Sequence, residues 1–177
     1  LICTTIYAKK NSPVEISPIF NQYDSISVQS PLKICIKTVS IADSIKNLPL
    51  GQTRTARKTF AQIISKPSID TVIHQSLGNF LKNKKLISSE DSADFILDLT
   101  ILNARINEIT RGLTQVMSAE LTVEVLLSGN KDSTQIKKYI IEAKNSREAL
   151  DTTKLAGDIF RETVKIFIQE LMKNLMS

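Results

Sequence analysis

At 177 residues, with 42% hydrophobic and 23% charged positions, the chain has the size and composition of one globular domain; neither a disordered nor a collagen-like polymer fits. Aromatic residues make up only 5% and Trp is absent, so Ile, Leu and Val must fill the core. The net charge of +5 favours encounter with anionic surfaces, yet the basic groups (Lys9-Lys10, Arg54 to Lys58, Lys82 to Lys85, Lys137-Lys138) have no interleaved aromatics on which bases would stack, and no nucleic-acid partner is expected.

The chain opens on Leu1 rather than Met, which predicts a processed or omitted upstream segment. No run approaches the roughly 20 apolar residues of a membrane-spanning helix. Cys3 is the lipidation candidate, although Ile2 stands where a small residue normally precedes an acylated cysteine. A free thiol, or a disulfide to Cys35 in an oxidising compartment, stays open beside it. Residues 1–31 are rich in Asn, Ser and Pro; Pro13, Pro18 and Pro31 each lack a backbone donor, which predicts an extended arm ahead of a single domain over 32–177.

From Leu32 the apolar residues Leu32, Ile34 and Ile36 alternate with Lys33, Cys35 and Lys37, the period of a half-buried strand over 33–41 that turns Cys35 away from the Ile34 and Ile36 face. Residues 42–66 predict a long loop with a short strand near 60–64, and a loop of that length is a candidate contact surface. Ser68 as N-cap, Asp70 in the first turn, the stripe Ile69, Val72, Ile73, Leu77, Phe80 and Leu81, and the lysines that follow predict a helix over 68–84. Strands follow at Phe95 to Ile101, Met117 to Leu127 and Ile136 to Lys144, with a link over 103–115 and a Gly129-Asn130-Lys131-Asp132 turn; this predicts an antiparallel meander. A helix over 153–176 closes the chain, with Leu155, Ile159, Phe160, Val164, Phe167, Ile168, Leu171 and Leu175 on one face. The expected fold is α+β, an antiparallel sheet of about four to five strands with two helices packed on one face.

Residues that carry chemistry are scarce. His74 is the single histidine and Cys3 and Cys35 are the two cysteines, which excludes a two-histidine or four-thiolate zinc site within the chain. Gly51, Gly78, Gly112, Gly129 and Gly157 are dispersed, so no phosphate-cradling loop forms. Glu90 with Asp91, and Glu120 with Glu124, suit a solvated surface better than an acid–base pair. No catalytic, cofactor-binding or metal residue is assigned, and an enzyme is not expected.

The first strand running into VSIADSIKNLPLGQTR (Val39 to Arg54), the helix SIDTVIHQSLGNFLKNKKL, the strand ADFILDLTI (Ala93 to Ile101), the strand ELTVEVLL (Glu120 to Leu127) and the closing amphipathic helix together resemble the YajG-type family of Gram-negative envelope lipoproteins. More distantly, they resemble the auxiliary lipoproteins of ABC-type lipid transport. The resemblance implies an exported α+β domain tethered to the outer membrane, facing the periplasm, without known enzymatic chemistry. No cofactor is expected. Its expected role is that of a structural or interaction subunit of an envelope assembly such as a secretion or transport machine, with other envelope proteins as partners. The alternative is a carrier of lipid or another small apolar ligand. Interface candidates are Tyr7, Phe20 and Tyr23 on the arm and Arg54, Arg57 and Lys58 on the long loop, where large side chains could anchor in a partner's pockets.

Overall fold

Among the described residues the alternating and helical segments settle into seven strands and two α-helices, with a 3-10 turn at Glu90–Ser92. In chain order they are β1 (Val14–Ile16), β2 (Ile34–Ile41), β3 (Gly51–Arg54), β4 (Phe60–Ser65), α1 (Ile69–Asn83), β5 (Phe95–Arg111), β6 (Thr114–Gly129), β7 (Ile136–Ala149) and α2 (Thr152–Met176). The structure, a computed structural model, describes residues 12–21, 32–54, 60–111, 114–129, 136–149 and 152–176.

All seven strands join one mixed sheet, ordered β1-β4-β3-β5-β6-β7, with β2 also paired to β5. This corrects the expected antiparallel sheet of about four to five strands. The pairings of β3 with β4, β5 with β6 and β6 with β7 are antiparallel, whereas β1 with β4, β2 with β5 and β3 with β5 are parallel. Strand alternation is identical in both senses, so it cannot report direction. Direction follows from connectivity: β2 reaches β5 through a crossover containing α1, the kind of long connection that parallel neighbours require.

The strand β5 holds the sheet together because its edge away from β6 takes two partners in succession. Ile34 to Ile41 of β2 run beside Phe95 to Ile101; the chain then leaves the sheet and returns at Gly51, opposite Ile106. Backbone bonds mark both ends of this excursion. The Ala42 N–H donates to the Ile101 carbonyl at 2.9 Å, and the Ile106 N–H donates to the Leu50 carbonyl at 2.6 Å. Gly51 is obligatory at the re-entry, since a Cβ there would lie 2.0 Å from the Ile106 carbonyl oxygen.

β5 also runs far beyond the expected strand end. Its register with β6 shifts between Ile101 and Asn103, which makes Leu102 the extra residue of a β-bulge. Core-facing positions are Leu97, Leu99 and Ile101 before the bulge, then Ala104 and Ile106 after it. The parity of the apolar positions flips, so a strand continuing to Arg111 looks from the sequence like the link expected over 103–115.

The core lies between the sheet and the helices. Met117, Ala119, Leu121, Val123, Val125 and Leu127 of β6 face it, as do Ile159, Phe160, Val164, Phe167, Ile168 and Leu171 of α2. Each such side chain contributes roughly 1.5–3 kcal/mol on full burial, which explains why the 25-residue α2, about 37 Å long, lies along the sheet. α1 supplies Val72, Ile73, Leu77, Phe80 and Leu81 to the same cluster. It ends in a Schellman turn: Lys85 adopts φ 58°, its N–H reaches the Lys82 carbonyl, and the Leu86 N–H reaches the Leu81 carbonyl.

The segment expected as an extended arm enters this core. Val14–Ile16 forms the sheet edge beside β4, and Phe20 is fully buried with its N–H donating to the Ser76 hydroxyl of α1 at 2.9 Å.

Candidate interaction site

The side of the sheet turned away from α2 is polar along most of its length. Arg105 pairs with Glu120 at 3.8 Å and Lys138 with Glu124 at 2.8 Å, the solvated arrangement expected for these carboxylates. Further along, Thr38 donates to Asp98 and the Ser40 and Thr100 hydroxyls are in hydrogen-bond contact. The cations of the two ion pairs are exposed while Glu120 and Glu124 are partly covered, and such surface pairs contribute little to stability.

The character of this surface changes where β3 and β4 meet the second half of β5. Within β3 and β4 the core positions are Thr53, Ala61 and Ile63, all buried. Alternation therefore turns Arg54 and Phe60, register partners, to the opposite side. The Arg54 guanidinium lies 5.6 Å from the Phe60 ring centroid, within cation–π range, while 59% of Phe60 stays exposed. Ile109 on β5 is 51% exposed, and Leu48 on the excursion is 62% exposed. Pro49, Gln52, Arg54, Phe60, Asn107 and Ile109 line an open concavity of about 700 Å³.

The frame around this concavity is fixed. Glu108 Oε2 accepts from the Thr53 hydroxyl at 2.7 Å and from the Arg54 backbone N–H at 3.0 Å, which ties β3 to β5 where the parallel pairing is short. Arg54 thus has an anchored backbone and an exposed, aromatic-stacked head.

A second concavity, about 440 Å³, lies beneath the excursion between β2 and β3. Its apolar wall includes Ile41, Ile45, Leu50, Ile64 and Ile69, with Asp70 at its edge. Asp70 Oδ1 is buried and has no hydrogen-bond partner among the described residues. His74 is exposed on the neighbouring turn of α1 beside Asp70, Thr71 and Gln75, around a smaller hollow of about 200 Å³.

Cys35 pairs in register with Ile96, on the face opposite Ile34 and Ile36, as the alternation predicts. Partial burial pushes its thiol pKa up, Glu90 and Asp98 push it further, and Lys37 opposes them. Lys37 donates to Glu90 at 2.9 Å, and this hydrogen bond raises the ammonium pKa. Among the described residues, no group of three or more His, Cys, Asp or Glu side chains is arranged to hold a metal ion, and no helix is long and apolar enough to cross a membrane.

The residues nominated from the sequence separate. Arg54 sits on the exposed rim. Phe20, a docking-anchor candidate from the sequence, is instead enclosed in the chain's own core, where its N–H donates to Ser76 of α1. Cys3, Tyr7, Tyr23, Arg57 and Lys58 lie outside the described residues. Phe60 and Ile109 are not among the sequence candidates; Phe60 turns outward because Ala61 and Ile63 are buried, a choice of face that the sequence does not record.

No family model matches this chain, and no curated protein matches it. Among solved structures, it is similar to protein XCC0632 from Xanthomonas campestris, described under the family DUF330, with a TM-score of 0.59 and 11% identity over 91% of this chain and 90% of that one. A minor lipoprotein from Acinetobacter baumannii gives a TM-score of 0.40 at 12% identity, covering 81% of this chain and 87% of that one. The hypothetical protein CT253 from Chlamydia trachomatis gives 0.43 at 11%, covering 77% and 98%. What the chain shares with XCC0632 at 11% identity is the fold, across nearly the whole length of both.

Proposed function

We propose that the chain is a non-enzymatic, periplasm-facing envelope protein, a structural or interaction subunit of an outer-membrane-associated assembly such as a secretion or transport machine. One observation carries the interaction part: Arg54 stacked on the exposed Phe60 at the mouth of a concavity flanked by Ile109. An aromatic and an arginine on a rigid frame are the residue types that dominate binding energy at protein interfaces, and they lose little side-chain freedom on docking. The envelope part rests on the sequence resemblance to YajG-type lipoproteins, with Cys3 as the candidate anchor.

The test is a mild-detergent pull-down from the native envelope with the wild-type chain and with the Arg54→Glu, Phe60→Asp double variant. Wild type should bring down stoichiometric envelope proteins; the double variant should lose them by about tenfold or more, with an unchanged melting temperature. Equal recovery with both chains would defeat the docking role. Mass spectrometry of the N-terminal peptide would report separately whether Cys3 is acylated.

A carrier of a small amphiphile is the second reading, favoured by the apolar concavity under the excursion and the unpartnered Asp70 oxygen at its edge. Its volume falls within the usual range for small-molecule sites. An envelope-purified chain that emerges alone, carrying one lipid-sized adduct in native mass spectrometry, would move the assignment to this reading.

A further inference from the structure

The sheet ends on β7, and among the described residues no strand pairs with the outer edge of this 14-residue strand. A long unpaired edge offers a row of backbone donors and acceptors to any incoming strand, and proteins normally guard such edges with charge. β7 carries Lys137, Lys138, Glu142, Lys144, Arg147 and Glu148. The order of these charges is the informative feature.

We propose that β7 pairs antiparallel with β7 of a second copy of this chain, about a two-fold axis through Ala143, joining two sheets into one. In that register Glu142 lies opposite Lys144 of the second copy and Lys138 opposite Glu148, and symmetry repeats both pairs. All of these side chains lie on the sheet face away from α2, because Glu142 and Lys144 share that face with Thr122 and Glu120 of β6. On the other face Tyr139 lies opposite Arg147, and Ala143 meets its own equivalent. Directly opposed residues in an antiparallel pair have Cβ atoms about 4.5–5.5 Å apart, close enough for unlike charges to attract and like charges to repel.

The neighbouring face-preserving registers are disfavoured by the same charges. Moving the axis to Glu142 sets Glu142 against Glu142, and moving it to Lys144 sets Lys144 against Lys144. An axis at Ile141 opposes Lys138 to Lys144, and one at Asn145 opposes Glu142 to Glu148. The charges that would repel a generic strand therefore select one self-complementary register. The groups reach solvent: Lys138 is 59%, Glu142 60% and Lys144 61% exposed, and Ile140, 55% exposed, lies opposite Ser146. Within one copy Lys138 pairs with Glu124 and Lys144 with Glu142, surface pairs weak enough to exchange for partners on the second copy. This inference stands on the edge of β7 alone and does not depend on the envelope reading.

Sedimentation equilibrium of the full chain in reducing buffer tests it. Wild type should show a concentration-dependent monomer–dimer equilibrium. Glu142→Lys and Lys144→Glu should each weaken dimerisation by about tenfold or more, because each reversal sets like charges together twice, and the double swap should recover wild-type affinity within about threefold. A wild-type chain that stays monomeric, single variants that dimerise as wild type does, or a double swap without recovery would overturn the proposal. If a single variant fails to fold, the Lys138→Glu and Glu148→Lys pair makes the same test at the second contact.

Discussion

Two regions of the same sheet are built on opposite plans. β5, β6 and β7 are long, consecutive and antiparallel, with α2 laid across them, so most of their contacts join segments that are neighbours in sequence. The corner made by β1, β3 and β4 uses short strands brought together from distant points: Val14 meets Ile63, and Gly51 meets Ile106. The first plan gives a broad, repetitive core. The second depends on single residues, and it is the corner that holds the exposed Arg54 and Phe60.

The largest expected effect tests whether the corner belongs to the same cooperative unit. Phe167 of α2 and Phe20 of the N-terminal segment are both fully buried. Replacing either with Ala should cost about 3–5 kcal/mol in denaturant titration, since each change leaves a phenyl-sized cavity. A cost near zero for Phe20→Ala would mean that residues 12–21 dock as an accessory rather than as part of the core.

Next comes the re-entry point. Gly51→Ala should cost about 1–3 kcal/mol, because its Cβ would collide with backbone that cannot swing aside. Gly78 of α1 has nothing within 4 Å of a built Cβ, so Gly78→Ala should instead stabilise by about 0.5–1 kcal/mol through helix propensity. Equal effects at the two glycines would remove the distinction between a regular element and a corner held by one close approach.

The smallest expected effect is on pH dependence. Burial raises the pKa of Tyr139 from its ordinary 10.0 and leads the upward shift of Cys35 from 9.0. A folded state that holds these protons more tightly has its full stability below pH 9 and loses it as the pH rises through the folded-state values. Denaturation midpoints should fall as the pH rises past 9.0 and on through the raised folded-state values, and Tyr139→Phe with Cys35→Ser should flatten the decline. Tyr139→Phe should also be neutral or slightly stabilising near neutral pH, since the hydroxyl it removes is buried without a partner among the described residues.

Both helices and the first long strand were legible in the sequence. The helix expected over 68–84 forms as Ile69–Asn83, the closing helix expected over 153–176 as Thr152–Met176, and the strand expected over 33–41 as Ile34–Ile41. The errors have physical causes. β3 is four residues long and its central position is Thr53, so it offers almost no alternation to detect. From the sequence β5 ends at Ile101, because Leu102 flips the parity of its apolar positions, and the prolines that flank β1 hide it. Of the candidate site, Arg54 was found as a basic residue on a long connection; that Phe60 would face it required knowing that Ala61 and Ile63 point inward.

The sequence by itself determined where both helices, β2, β6 and the first half of β5 lie, which of their faces are apolar, and the order of charges along β7. Local periodicity and side-chain chemistry are enough for these, because they act within a few residues of the chain. Only the tertiary structure decided that β2 and β5 run parallel, that Phe20 turns inward while Phe60 turns outward, and that β7 is left at the edge. Those outcomes depend on which distant backbone groups satisfy one another's hydrogen bonds, and no local pattern of side chains records that choice.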